Sequence, residues 1–94
     1  MPNTVSAQTA RDLQNQGHEL YKSGNYTAAL SKLEASLRLS DYYYAHYLKY
    51  LCHEKLDQED EATASINRAV ELAPEDLQLR YIRALHREMY VGYI

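Results

Sequence analysis

One stretch of this chain recurs, and that recurrence constrains the fold more than any other feature. The segment "AALSKLEASLRLSD", from Ala28 to Asp41, overlays "EATASINRAVELAPE", from Glu61 to Glu75, at an offset of 33 residues. Ala29 falls on Ala62, Leu33 on Ile66, Ser36 on Ala69, Leu37 on Val70, Leu39 on Leu72 and Asp41 on Pro74. Small residues recur where two helices must cross closely, and larger apolar ones where they fill the space between crossings. An offset of this size is one helix-turn-helix unit, the building block of a stacked helical array.

The rest of the chain reads the same way. Nothing alternates with period two over a useful length and no Asn-Gly hairpin signal occurs, whereas apolar residues recur at helical spacing. Leu13, Gly17 and Leu20 mark a first helix, with Thr9-Ala10-Arg11-Asp12 as a capping-box-like start. Ser23-Gly24-Asn25 breaks it. Tyr26, Ala29, Leu30, Leu33 and Leu37 mark a second helix, which Ser40-Asp41 stops. A third, over about Tyr43 to Leu56, carries Tyr44, Tyr47, Leu48, Leu51 and Cys52. Asp57-Gln58-Glu59-Asp60 turns into a fourth, with acids where the macrodipole favours them, and Ala62, Ile66, Ala69 and Val70 share its face. Ala73-Pro74-Glu75-Asp76 precedes a fifth, over about Asp76 to Met89, with Leu79, Ile82, Leu85 and Met89. The prediction is an all-α domain of about five helices with short connections and no linker.

Composition sets the class of function. At 94 residues the chain is one domain at most, and 46% hydrophobic with 24% charged residues is ordinary for a soluble globular protein. A net charge of −3 gives no reason to expect nucleic acid as a partner. One cysteine, Cys52, excludes an internal disulfide and fits a reducing compartment. The segment MPNTVSAQTARDL has neither the charged start nor the apolar centre of a secretory signal, and no apolar run approaches a membrane span. A cytoplasmic protein without membrane insertion is expected. The ten tyrosines, against no phenylalanine or tryptophan, suit half-buried helix contacts or a binding surface equally well.

On these motifs the chain resembles the tetratricopeptide repeat family. In a first repeat, about 10–43, Leu13 takes the bulky position, Gly17 the helix-A glycine, Leu20 the aromatic or aliphatic one, Gly24 the turn and Tyr26 the aromatic of helix B. Ala29, Leu33 and Ser36 follow, and Asp41 replaces the closing proline. The second repeat, about 43–75, matches through Ala62, Ile66, Ala69 and Pro74. It departs from the pattern in its first helix, where Tyr50 or Leu51 stands at a small position and Asp57 replaces the turn glycine. A large side chain there should push the helices apart or shift their register. The remaining helix, about 76–90, resembles the one that closes such arrays.

The resemblance implies an α-solenoid whose first helices line a concave groove, and positions facing it can be named. These are Arg11, Gln14, Asn15, His18 and Lys22, then Tyr44, Tyr47, Leu48 and Leu51, then Arg80, Tyr81 and Ala84. Such a surface would take a peptide with an apolar anchor and an acidic or C-terminal flank. The alternative for Tyr47, Leu48 and Leu51 is packing between neighbouring helices. The family's two-carboxylate clamp for the acidic tails of heat-shock chaperones would fall on Gln14, His18, Leu48, Leu79 and Arg83, and only Arg83 fits it. Arg80, Arg83 and Arg87, at i, i+3 and i+7, form a basic stripe that could hold an acidic segment. The plainer account is the solvated face of a terminal helix, and the acids from Asp57 to Glu61 could pair with the stripe on a neighbouring molecule.

No chemistry stands out. His18, His46, Cys52, His53 and His86 lack metal-ligand spacing, and "HEKLD" (His53 to Asp57) lacks the second histidine of a zinc-protease helix. No phosphate-cradling loop or G-x-S-x-G is present. The expectation is a non-enzymatic interaction module with no cofactor and no metal, its partner a protein or peptide. The second reading is a scaffold that forms a homo-oligomer through the apolar C-terminal run, with Met89, Tyr90, Val91, Tyr93 and Ile94 as contacts.

Overall fold

In the computed structural model, residues 4–91 are described, with side chains over 8–89, and they form five helices and no strand. The helices are α1 (Thr4–Lys22), α2 (Tyr26–Leu39), α3 (Tyr43–Lys55), α4 (Glu59–Leu72) and α5 (Leu77–Val91). Each packs on its successor, and α1 also touches α3. The odd-numbered helices therefore form one layer and α2 with α4 the other, consistent with an antiparallel helical repeat. Helix α1 starts five residues before the expected cap at Thr9. The residues Val5 to Gln8 include no glycine or proline, so nothing upstream breaks the helix.

The first hairpin closes around a missing side chain. A Cβ placed on Gly17 would lie 2.7 Å from two carbons of the Leu33 side chain and 3.3 Å from the Ala29 carbonyl oxygen. Leu33 is wholly buried, so it has no room to retreat. The buried Ser36 hydroxyl donates a 2.6 Å hydrogen bond to the Ala10 carbonyl, fastening the far end of the same crossing. Ala29 and Leu33 continue into a core with Ala45, Leu48 and Cys52, which joins the first hairpin to α3. Burial pushes the Cys52 thiol up to about 11, so it stays protonated and acts as a small core residue.

The recurrence extends to backbone hydrogen bonds. In the first turn Gly24 N–H bonds the Tyr21 carbonyl and Asn25 N–H the Leu20 carbonyl; in the second, Asp57 bonds Glu54 and Gln58 bonds His53. Both pairs are the 5→2 and 6→1 bonds of a Schellman cap, which requires a left-handed residue at its centre. Gly24 supplies it at φ 87°, and Asp57 supplies it at φ 57°. Thus the register of the second hairpin is kept despite Tyr50, contrary to the expected shift. Tyr50 is itself part of the second core, with Ala62, Ile66, Ala69, Val70, Ala73 and Leu79.

The two hairpins are tied by the α2–α3 loop. The Asp41 carboxylate lies 2.7 Å from His46 Nε2 on α3 and pairs with Arg68 on α4. Hydrogen bonds from His46 and then Arg68 hold the Asp41 carboxyl below the usual carboxylate range. At the equivalent break before α5, the Asp76 carboxylate accepts the Leu79 N–H at 3.1 Å and caps the helix. Helix α5 then seats Leu79, Ile82 and His86 inward, 34 positions after Ala45, Leu48 and Cys52 of α3. It packs on α4 with the face that α3 uses on α2.

Candidate functional site

The first halves of α3 and α5 leave a cleft of about 330 Å³ between them, lined by Tyr43, Tyr44, Tyr47, Asp76, Gln78, Leu79 and Ile82. Its walls follow from helical spacing. Tyr43 and Tyr47 are one turn apart on α3, as Gln78 and Ile82 are on α5, so each pair faces across the gap. The three α3 tyrosines that line it, Tyr43, Tyr44 and Tyr47, are half-buried, with their rings in the wall. They belong to a run of ring contacts: His18 to Tyr44 at 6.3 Å, Tyr44 to Tyr47 at 5.8 Å, and Tyr47 to Tyr50 at 6.4 Å. Rings held by neighbouring rings lose little further freedom on binding, which suits them as anchors.

The hydroxyls of Tyr43 and Tyr47 in this wall stay protonated. The neighbouring Tyr42 phenol and then burial push Tyr43 above its usual value, and burial followed by Tyr44 does the same for Tyr47. Each can donate or accept a hydrogen bond at neutral pH. With the Asp76 carboxylate and the Gln78 amide at its rim, the cleft offers an apolar floor and a ring of polar groups. It can hold an apolar side chain and bind the backbone beside it.

The other end of the α3–α5 gap is closed by a partly buried polar group, built on the buried Tyr50 and His86, that sequence reasoning missed. Tyr50 donates to Glu54 at 2.9 Å, His86 Nδ1 lies 3.3 Å from the same Glu54 oxygen, and His86 Nε2 lies 2.7 Å from the Thr63 hydroxyl. The edge of His86 meets the Tyr50 ring at 5.4 Å. With the carboxylate on Nδ1, a neutral His86 carries its proton there and accepts from Thr63 at Nε2. The group couples α3, α4 and α5 and fixes where the cleft ends. Thr63 and His86 lie far in the chain from the Tyr50–Glu54 pair, so no local motif announces the group.

No family model matches the chain. Among the described residues no helix is long and apolar enough to cross a membrane, and no three His, Cys, Asp or Glu could hold a metal ion.

The structure divides the expected groove. Tyr44 and Tyr47 line the cleft. Leu48 does not: it is 1% exposed, sealed in the core with Ala29 and Leu33. Leu51 is half-buried and packs against both cores. Arg11, Gln14 and Asn15 line a separate hollow with Ala10, Ser36, Ser40 and Tyr42. His18 reaches the tyrosine wall through Tyr44, while Lys22 is exposed and paired with Glu19 at 3.0 Å. Arg80, Tyr81 and Ala84 lie on the outer side of α5 with Arg83 and Arg87, away from the cleft. Helix α5 turns Gln78 and Ile82 towards α3, whereas Arg80, Tyr81 and Ala84 fall on another part of its circumference. Tyr43, Asp76, Gln78 and Ile82 are the cleft residues that reading missed. Of the clamp positions, Leu48 and Leu79 are buried, so they present nothing to a carboxylate. Met89 is exposed. Tyr93 and Ile94, and the side chains of Tyr90 and Val91, lie outside the described residues.

Proposed function

We propose that the chain is a non-enzymatic protein-interaction module of the tetratricopeptide-like kind, taking a peptide segment of a partner protein in the α3–α5 cleft. The observation that carries this reading is the tyrosine wall opposite Gln78 and Ile82, an apolar recess with a polar rim between two rigid helices. Recognition sites for peptides combine these two parts, a pocket for a side chain and polar groups for the adjoining backbone. The acid at the rim, Asp76, makes a donor-bearing neighbour the better fit and moves any acidic flank away from this cleft. The expected ligand has an aromatic or branched aliphatic anchor next to an amide or basic side chain. A cytoplasmic setting goes with this reading on the strength of the single, buried Cys52.

Selection from a random peptide library against the whole chain tests it. Selected peptides should share an apolar anchor and bind a Tyr44→Ala/Tyr47→Ala variant about tenfold or more weakly, with helicity unchanged by circular dichroism. Peptides that bind the variant and the parent equally would contradict the cleft.

A further inference from the structure

On α1 and α3, one and the same face is covered by an antiparallel helix. Ala10 and Gly17 of α1 lie under Ser36 and Leu33 of α2, and on α3 Tyr50 lies in the core made with α4 while the half-buried Tyr43 packs against it. Carried 34 positions from α3 onto α5, that face is Leu77, Arg80, Ala84 and Arg87, and no described helix covers it. Leu77 is 73% exposed and Tyr81 beside it is 64% exposed. Together with Arg83 these residues line a shallow groove along the helix. Ala84 falls where α1 has Gly17, the position whose small size lets a buried leucine of the opposing helix approach. Its methyl leaves a shallower notch than Gly17 does, between the longer side chains of Arg80, Tyr81 and Arg87.

Charge says what fits. Arg80, Arg83 and Arg87 make none of the ion pairs formed among the described residues. A second copy of this face would set arginines against arginines, and like charges brought together oppose docking. An acidic helix would meet forked donors with no competing carboxylate. We propose that the outer face of α5 binds an acidic amphipathic helix of a partner protein. The helix lies antiparallel to α5, with one bulky apolar residue in the Ala84 notch and carboxylates on Arg80, Arg83 and Arg87. This surface is separate from the α3–α5 cleft, and each can be lost without the other.

The test uses a displayed library of helices about as long as the 15 residues of α5, with a fixed apolar stripe and randomised flanks, selected against the whole chain. Enrichment of Asp and Glu on the flanks is expected. The best helix, synthesised, should bind about tenfold or more weakly to Arg80→Glu/Arg87→Glu and to Ala84→Tyr, which fills the notch. Both changes are on exposed positions, and circular dichroism checks the fold. Binding should survive in Tyr44→Ala/Tyr47→Ala, which separates this surface from the cleft. No enrichment, enrichment regardless of charge, or indifference to Ala84→Tyr overturns the proposal. A concentration-dependent dimer of the chain alone that Ala84→Tyr abolishes would also overturn it, because a second copy would then own the face.

Discussion

The two hairpins share a turn, a register and a set of alanines, yet they solve the crossing of their helices in opposite ways. The first removes a side chain: Gly17 lets Leu33 come within the radius that a Cβ would occupy. The second puts the largest available residue at the matching place, and Tyr50 fills the space while its hydroxyl reaches Glu54. Schellman caps of the same hydrogen-bond pattern close both, one on a glycine and one on Asp57. The difference teaches that register is set by the turn and by the small residues of α2 and α4, so the facing position on α1 or α3 can differ between hairpins, each matched to its own surroundings. The second hairpin uses that difference for contacts to α5, and those contacts bound the cleft.

Exchanging the two solutions breaks the comparison most sharply. Tyr50→Gly removes a buried ring from the second core and adds a glycine inside a helix, so a loss of about 4 kcal/mol is expected by denaturant unfolding. The converse, Gly17→Tyr, should leave the first hairpin unable to close, and even Gly17→Ala should cost about 1–3 kcal/mol because Leu33 cannot yield. If Gly17→Tyr folds with parental stability, the close approach is not what holds the first hairpin. A smaller effect of opposite sign is expected at the turn. Asp57→Gly relieves a left-handed backbone and should stabilise by about 0.5–1 kcal/mol, while Gly24→Asp should lose a similar amount. Equal stability of both turn variants and the parent would mean that the caps are interchangeable.

The smallest effect concerns the loop between the hairpins. Because the folded carboxyl of Asp41 is held below its unfolded value, its contribution is present above the unfolded value and fades as pH falls through the folded one. Asp41→Asn should cost no more than about 1 kcal/mol near neutral pH, since the carboxylate is 46% exposed and screened. The parent and the variant should converge in stability under acid. A difference that persists at pH values below both would assign the effect to something other than the charge.

How much of this was legible in the sequence follows the range of each interaction. The helices and their order were legible because Gly24, Pro74 and the alanine spacing act locally. Asp57 was read only as a departure from glycine, since nothing in the residue type alone requires φ to turn positive. The start of α1 was misplaced because a cap-like residue at Thr9 does not stop a helix when the residues before it also propagate one. At the site, Tyr44 and Tyr47 were legible from the first helices of the repeat. Leu48 was read two ways, as groove or as packing, and the way α3 meets α2 puts it in the core. The half of the cleft on α5 was missed because it depends on which face α5 turns towards α3, and no local residue pattern states that. The Tyr50–Glu54–His86–Thr63 group needs three helices in place before it exists.

The most direct test of the central claim, that the cleft between α3 and α5 is where a partner peptide binds, is amide and side-chain chemical-shift mapping of the whole chain with a library-selected peptide. The account predicts shifts concentrated on Tyr43, Tyr44, Tyr47, Gln78 and Ile82, with the first hairpin around Gly17 and Leu33 unmoved. Shifts confined to the hollow around Arg11, Gln14 and Asn15, or spread evenly over all five helices, would contradict it.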